Sequence, residues 1–277
     1  MNRILVVLLL MTGRNSRMFL MRVAVPVCLW VLCISAAPIR AQTPNLAGSY
    51  ISRGNLSYRE GRFVDAISDY EAALAFAPDS AIALNNRGTA RLKSGDIDGA
   101  IADFEAALKI DSRLAKTYCN RGHALTSLKK FKEAIDDFTR AIEIDPRYAL
   151  AYYNRGTARI AIEKLDDALK DFDAAIKIKP GYCEAFNNRG TIRILRRELD
   201  RAVDDFTKAL ALNPAYVAAR GNRCIARLIQ GRNEEARHDF ETAIRQDPSF
   251  KTTIDKQIES LHISDAWKSP SAEQEKR

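Results

Sequence analysis

The chain repeats one pattern every 34 residues. Six blocks of this length follow one another without insertion from Ala47 to Phe250. A period of 34 residues with helical spacing of apolar residues is typical of paired helices, and one such pair cannot bury its apolar stripe alone. Stacked pairs can, so the sequence predicts an all-α solenoid. The predicted repeats are 47–80, 81–114, 115–148, 149–182, 183–216 and 217–250.

A few positions of the block hold the same kind of residue in nearly every copy. Position 8 is glycine in the first five blocks, positions 20 and 27 are alanine in all six, and position 24 is always aromatic. Position 32 is proline in five blocks, and proline ends a helix. Small residues at positions 8 and 20 let the two helices of a block approach closely, with the aromatic ring beside them. In the third block these residues are Gly122, Ala134, Phe138, Ala141 and Pro146.

This pattern resembles the tetratricopeptide repeat family over about three-quarters of the chain. The resemblance implies a right-handed superhelix in which the first helix of each repeat, here called helix A, lines a concave groove. It also implies a function in protein binding, although a fold alone does not define a function.

Positions 6 and 9 face the groove in this family. An asparagine amide both donates and accepts hydrogen bonds, so a row of asparagines is suited to holding the backbone of an extended peptide. The alternative is that asparagine is simply common at position 6 in such repeats. The predicted groove residues are Asn86, Asn120, Asn154, Asn188 and Asn222 at position 6, with Asn55, Thr89, His123, Thr157 and Thr191 at position 9.

Two unbroken columns of opposite charge run through the repeats. We interpret them as a structural ion-pair ladder, because a buried arginine is tolerable when it has a carboxylate partner; the alternative is that the arginines bind acidic ligands. The columns are Arg53, Arg87, Arg121, Arg155, Arg189 and Arg223 at position 7, and Asp69, Asp103, Asp137, Asp171, Asp205 and Asp239 at position 23.

The remaining groove positions change in character along the stack. The early repeats offer polar and basic residues such as Arg59 and Lys116, and the late ones offer Ile194, Ile225 and Leu228. The apolar end is expected to bind a partner's apolar side chains or the chain's own C-terminal helix; alternatively its residues belong to the core. The carboxylate clamp of chaperone-binding family members is not expected, since most of its basic residues are missing.

The first 41 residues have the organisation of a secretory signal. Arg14, Arg17 and Arg22 precede an apolar stretch, 23–37, that ends in small residues, and a cut after Ala41 is predicted. An uncleaved membrane anchor is the alternative; either way the body is expected to be exported to the periplasm or secreted.

The leader holds five basic residues and no acid, so the rest of the chain has a net charge of only +3, against +8 for the whole chain. That balance argues against a nucleic-acid partner.

The C-terminal end is expected to differ from the repeats. Ile254, Ile258 and Leu261 recur at helical spacing, which predicts a capping helix over 251–262, followed by a flexible tail over 263–277. After the leader, Cys119, Cys183 and Cys224 are interpreted as helix-packing residues without a disulfide.

No catalytic, cofactor or metal motif is evident. Cys119 lies four residues before His123, so both can lie on one face of a helix, but two ligands do not make a zinc site. We therefore expect no catalytic, cofactor-binding or metal-binding residues and no enzymatic activity. The sequence favours an exported adaptor that binds a peptide segment or helix of a partner protein in its groove. The alternative function is a self-assembling structural solenoid of the cell envelope.

Overall fold

The structure is a computed structural model that describes residues 45–260, with side chains to residue 256. The predicted leader, the tail and the last residues of the predicted capping helix lie outside the described residues. Within 45–260 the chain forms thirteen α-helices joined by turns. They are α1 (Leu46–Arg59), α2 (Phe63–Phe76), α3 (Ala81–Ser94), α4 (Ile97–Ile110), α5 (Ala115–Ser127), α6 (Phe131–Ile144), α7 (Ala149–Ile160), α8 (Leu165–Ile178), α9 (Cys183–Leu195), α10 (Leu199–Leu212), α11 (Val217–Ile229), α12 (Asn233–Gln246) and α13 (Phe250–Ser260).

Each helix packs chiefly on its neighbours in the sequence, so that α1 contacts α2, α2 contacts α3, and so on to α12. The odd-numbered helices through α11 are the A helices, and they also contact one another from pair to pair. The even-numbered helices through α12 are the B helices. This arrangement confirms the predicted all-α solenoid.

The core of each pair is built on the ring at position 24. Phe104, Phe172 and Phe206 are fully buried between alanines. The glycine at position 8 makes room for the ring, because a Cβ on Gly122 would lie 2.7 Å from Cε1 of Phe138. The B helices end at position 30, two residues before the position of the repeated proline.

The turn between helix A and helix B needs a left-handed residue at position 15. Glycine supplies it three times, at Gly61, Gly95 and Gly231. The same backbone conformation occurs at three residues with side chains, with φ of 59° to 62°. These residues are Lys129, Glu163 and Arg197. L-residues are strained in this region, and repeats 3 to 5 therefore hold a less favourable turn than the others.

The last described helix covers the end of the stack. Ile254 of α13 is fully buried, in a cluster that includes Leu228 and Cys224 of α11. Gly221 allows the contact, since a Cβ there would lie 2.4 Å from the ring of Phe250.

Candidate functional site

The two charged columns pair within each repeat. Every position-7 arginine on helix A contacts the position-23 aspartate on helix B of the same repeat, at closest N–O distances of 2.5–2.7 Å. The aspartates are buried, at 0–6% exposed. From the second repeat on, the arginine side chains are 12–23% exposed, whereas Arg53 in the first repeat is 63% exposed.

A second arginine, at position 11, joins this pair in four repeats. Its Nη1 donates to Oδ2 of the same aspartate at 2.6–3.0 Å. Each of these aspartates therefore lies between two guanidinium groups. The residues are Arg91, Arg159, Arg193 and Arg227. Sequence reasoning missed this column because Ser57 and Leu125 interrupt it. The signal that could have revealed it is that position 11 is arginine in four of the six repeats.

The position-7 arginines also join neighbouring repeats. Arg155 donates to Oγ1 of Thr139 at 3.0 Å, and Thr139 belongs to the preceding B helix. Arg189 reaches Asp173 at 2.5 Å in the same way. Burial raises the pKa of Asp137, and the hydrogen bond from Arg121 opposes that shift. From the second repeat on, the ladder is thus a mostly buried structural feature that spans repeats, and it leaves little of those arginines for a ligand.

The position-6 asparagines also connect neighbouring repeats. Each donates its Nδ2 to a residue at position 5 or 9 of the preceding helix A. Asn86 donates to Asn55 at 3.0 Å, and Asn222 donates to Asn187 at 2.9 Å. The other three bonds run from Asn120 to Asn85 and Thr89, from Asn154 to Sγ of Cys119, and from Asn188 to the hydroxyl of Tyr153.

These bonds leave part of three of the five amides free for a ligand. The Nδ2 group carries two protons, and Asn86, Asn154 and Asn188 use one of them toward the preceding repeat. Asn120 and Asn222 each contact two acceptors there. All five side chains are half-buried and stay accessible from one side. The asparagine column therefore joins repeats, and Asn86, Asn154 and Asn188 keep an amide proton that no residue of the described chain accepts.

The position-9 residues differ from one another. The hydroxyls of Thr89, Thr157 and Thr191 donate to the backbone carbonyl four residues earlier on the same helix. His123 is exposed, whereas Cys119 is buried, so the two do not form a common site. Within the described residues, no group of three or more His, Cys, Asp and Glu side chains is placed to hold a metal ion.

A pocket of about 350 Å³ opens at the N-terminal end of the groove. It is lined by Asn55, Tyr58, Arg59, Tyr70, Asn86, Thr89 and Lys116. The hydroxyl of Tyr70 donates to Oδ1 of Asn55 at 2.8 Å, and burial raises the pKa of Tyr70 to about 12. Oδ1 of Asn55 also accepts from Asn86, so the floor of the pocket is a fixed hydrogen-bonded group.

The cations of this pocket lack acidic partners. Neither Arg59 nor Lys116 forms an ion pair with any residue in the described range, 45–260. Lys93 adds a positive charge near His123: partial desolvation of the imidazole, and after it the charge of Lys93, lowers the pKa of His123. The N-terminal groove is therefore a positively charged surface with open hydrogen-bonding capacity.

A second, more apolar pocket of about 340 Å³ adjoins the first. The two share Asn86 and Lys116, and the second adds Ile82 and Leu114. Ile82 is 63% exposed, so an apolar surface continues directly from the basic one.

The C-terminal end of the groove corrects one prediction. Leu228 and Ile225 are only 3% and 5% exposed and belong to the chain's own core. Ile194 is partly buried against Val203 and Phe206. Leu228 packs in the cluster that contains Ile254 of α13. The expected docking surface for a partner is therefore wrong at Ile225 and Leu228, at positions 9 and 12 of the sixth repeat, where the alternative prediction of core residues holds. Leu195, at position 13 of the fifth repeat, stays 64% exposed.

Comparison with known proteins identifies the class. Family models of the tetratricopeptide repeat match residues 51–115 and 189–249, 115–148, and 138–170. Together with the paired helices, these matches show that the chain belongs to the tetratricopeptide repeat family. No curated protein matches it significantly. No described helix has the length and apolar character needed to cross a bilayer.

Solved structures of similar fold come from several proteins of this family. A crystal structure of MamA is 28% identical, with a TM-score of 0.54, and the match covers 58% of this chain and 94% of MamA. YrrB, described as a TPR protein with an unusual peptide-binding site, is 25% identical with a TM-score of 0.52 over 64% of this chain and 91% of YrrB. PilF of Pseudomonas aeruginosa is 17% identical with a TM-score of 0.69, over 76% of this chain and 97% of PilF, and shows the fold alone.

Proposed function

We propose that the protein is an exported, non-catalytic adaptor that binds an acidic segment of a partner protein in the N-terminal half of its groove. The observation that carries the proposal is the pocket around Asn55, where Arg59 and Lys116 have no acidic partner within the described residues and Asn86 keeps a spare amide proton. The coarser class, an interaction scaffold, is supported by family membership and by the likeness to YrrB.

The chemistry of the pocket defines the segment it suits. Carboxylates complement the two cations and raise the association rate, an effect that salt weakens. The spare amide proton of Asn86 is suited to a backbone carbonyl of an extended chain. An apolar side chain next to the acidic one would enter the adjoining pocket beside Ile82 and Leu114.

Site-specific photo-cross-linking of the partner tests the position of the binding site. A photoreactive residue is placed at Thr89, in the pocket, and in a matched protein at Ala102, on the exposed surface of helix α4. We expect a partner from the source cell's envelope to cross-link from Thr89 and not from Ala102. Cross-linking from Ala102 instead would place binding on the other face and contradict the proposal.

Charge reversal tests the acidic character of the partner. Arg59→Glu combined with Lys116→Glu is expected to abolish capture, with helicity unchanged. The matched control is Lys109→Glu with Lys132→Glu, which changes the net charge equally at exposed lysines on the B helices. Equal capture by both double variants would show that the pocket does not bind the partner.

Export rests on the leader of residues 1–41, with its basic start and its apolar stretch. Intact mass spectrometry of the protein recovered from each cell fraction tests it. A cut after Ala41 gives a chain that begins at Gln42 in the soluble envelope fraction. A full-length mass in the membrane fraction would indicate the anchor, and recovery from the cytoplasm would contradict export.

A further inference from the structure

The first repeat has an open pocket where four other repeats hold an arginine. It has a volume of about 340 Å³ and lies between α1 and α2. It is lined by Arg53, Leu56, Ser57, Arg62, Asp65, Ser68 and Asp69. This pocket lies apart from the groove pocket, with which it shares no lining residue.

The internal repeats show what this place is shaped to hold. In repeats 2, 4, 5 and 6 the position-11 arginine donates to Oδ2 of the position-23 aspartate. In repeats 4 to 6 the same Nη1 also reaches the backbone carbonyl of position 19, at 3.3–3.4 Å. Positions 11, 19 and 23 of the first repeat are Ser57, Asp65 and Asp69, and all three line the pocket.

The acceptor in the first repeat is only half used. Both Nε and Nη2 of Arg53 contact Oδ1 of Asp69, at 2.7 and 2.5 Å. No residue of the described part of the chain donates a hydrogen bond to Oδ2 of Asp69, although this side chain is only 9% exposed. Asp69 lines the pocket, and its Oδ2 accepts nothing from Arg53 there. Charge-assisted hydrogen bonds are the strongest that a carboxylate accepts, so the pocket favours a cationic donor.

Repeat 3, where position 11 is Leu125, does not share this opening. Leu125 is 6% exposed and fills the place with an apolar side chain. Arg121 then reaches both oxygens of Asp137, at 2.7 and 2.8 Å. The first repeat differs because Ser57 is too short to fill the space.

The surface beside the pocket is a repeat interface that no other described helix covers. Leu56 occupies position 10 and is 52% exposed, whereas the residues at position 10 of the five later repeats are fully buried. In the second repeat this residue, Ala90, packs against Tyr70 and Ala66 of the preceding B helix. A segment that docks on the first repeat therefore meets an apolar contact next to the polar pocket.

We propose that the N-terminal face of the solenoid binds an arginine side chain of a partner protein, flanked by apolar residues. The guanidinium enters between Ser57 and Asp69 and donates to Oδ2 of Asp69 and to the carbonyl of Asp65. With Arg53 it completes the two-arginine arrangement that four other repeats build from their own residues. An apolar neighbour of the arginine packs on Leu56.

Arginine fits this place better than lysine. In the internal examples the planar guanidinium shares its aspartate with the guanidinium of the position-7 arginine. A guanidinium is more weakly hydrated than a compact ammonium group, so it loses less on entering such a place. Arg62 does not take the role, because its guanidinium is bound to Glu60 and Asp65.

Peptide binding to the full-length protein tests the proposal. The probe is the labelled peptide Ala-Leu-Arg-Leu-Ala, measured by fluorescence anisotropy against the same peptide with citrulline, a neutral isostere, or with lysine in place of arginine. We expect the citrulline peptide to bind at least about 10-fold more weakly, since a charge-assisted bond to a buried carboxylate is lost. Equal affinity of the two peptides, or no binding of the arginine peptide at roughly 1 mM, would overturn the proposal.

Variants locate the binding. Ser57→Arg supplies the missing guanidinium from the chain itself and is expected to weaken the arginine peptide at least about 10-fold. Asp69→Asn, which keeps the side-chain shape, is expected to act in the same direction and serves if Ser57→Arg does not fold. Lys132→Gln, at an exposed position of α6, is expected to leave this affinity unchanged. Unchanged affinity in both Ser57→Arg and Asp69→Asn would refute the site. A dimer that dissociates in Ser57→Arg would assign the pocket to a second copy and refute the partner.

Discussion

Gly122 lies directly beneath the ring of Phe138, so close that a Cβ at residue 122 would approach Cε1 of the ring to 2.7 Å. The same relation recurs in the other repeats that have glycine at position 8. In the sixth repeat the residue is Cys224, and its partner ring, Phe240, is only partly buried. The approach of helix A to helix B thus depends on the absence of a side chain at one position.

Gly122→Ala is expected to destabilise the protein by about 1–3 kcal/mol, because the ring has no space to move in a packed core. The matched control is Gly181→Ala, where a Cβ meets nothing within 4 Å. Urea denaturation followed by circular dichroism measures both. Similar midpoints for the two variants would contradict this account of position 8.

Much of the fold could be predicted from the sequence because its determinants recur within each repeat. The relation of Gly122 to Phe138 follows from the period and from residue size. The position-11 arginines were missed because Ser57 and Leu125 break the column. The bonds from the asparagines to preceding helices, such as Asn222 to Asn187, were missed because they depend on how repeats are rotated against one another. That rotation is a property of packing and not of local sequence.

At the turn at position 15 we expect a substitution to stabilise the protein, in contrast to Gly122→Ala. Lys129 has a φ of 59°, which costs an L-residue more than it costs glycine. Lys129→Gly is therefore expected to stabilise the protein by about 0.5–1 kcal/mol, despite the greater entropy of glycine in the unfolded chain. Lys130→Gly, one residue later at a φ of −81°, is the control and is expected to be neutral or destabilising. Thermal unfolding measures the Tm of both variants. A higher Tm for Lys130→Gly than for Lys129→Gly would show that the positive φ of residue 129 does not destabilise this turn.

Adjacent aspartates on α10 test the ion-pair ladder. Asp205 is fully buried between Arg189 and Arg193, at 2.6 and 2.7 Å, whereas Asp204 is exposed. Asp205→Ala leaves two mostly buried guanidinium groups without this carboxylate, and we expect a loss of about 2–4 kcal/mol. Asp204→Ala is expected to change the free energy of unfolding by less than about 0.5 kcal/mol. If the two variants unfold at the same urea concentration, the ladder does not stabilise the fold.

The cysteines give a prediction about reactivity and pH. Cys224 is fully buried in the described structure, and burial raises the pKa of its thiol to about 12; Cys183 is partly exposed. The thiolate is the reactive form, so iodoacetamide at pH 8 is expected to modify Cys183 well before Cys224. The folded protein holds the Cys224 proton above the ordinary thiol pKa of 9.0, while the unfolded chain releases it, so this residue's contribution to stability falls as pH rises from about 9 to about 12.

Peptide mass mapping after timed alkylation measures the order of modification. Its control is the same reaction in urea, where both thiols are expected to react at similar rates. Cys224→Ala should also lose less stability than the unchanged protein between pH 8 and pH 10.5, because it lacks the group whose proton release favours unfolding. Rapid alkylation of Cys224 in the folded protein would instead mean that α11 separates from α12 and α13 far more readily than their packing around Ile254 implies.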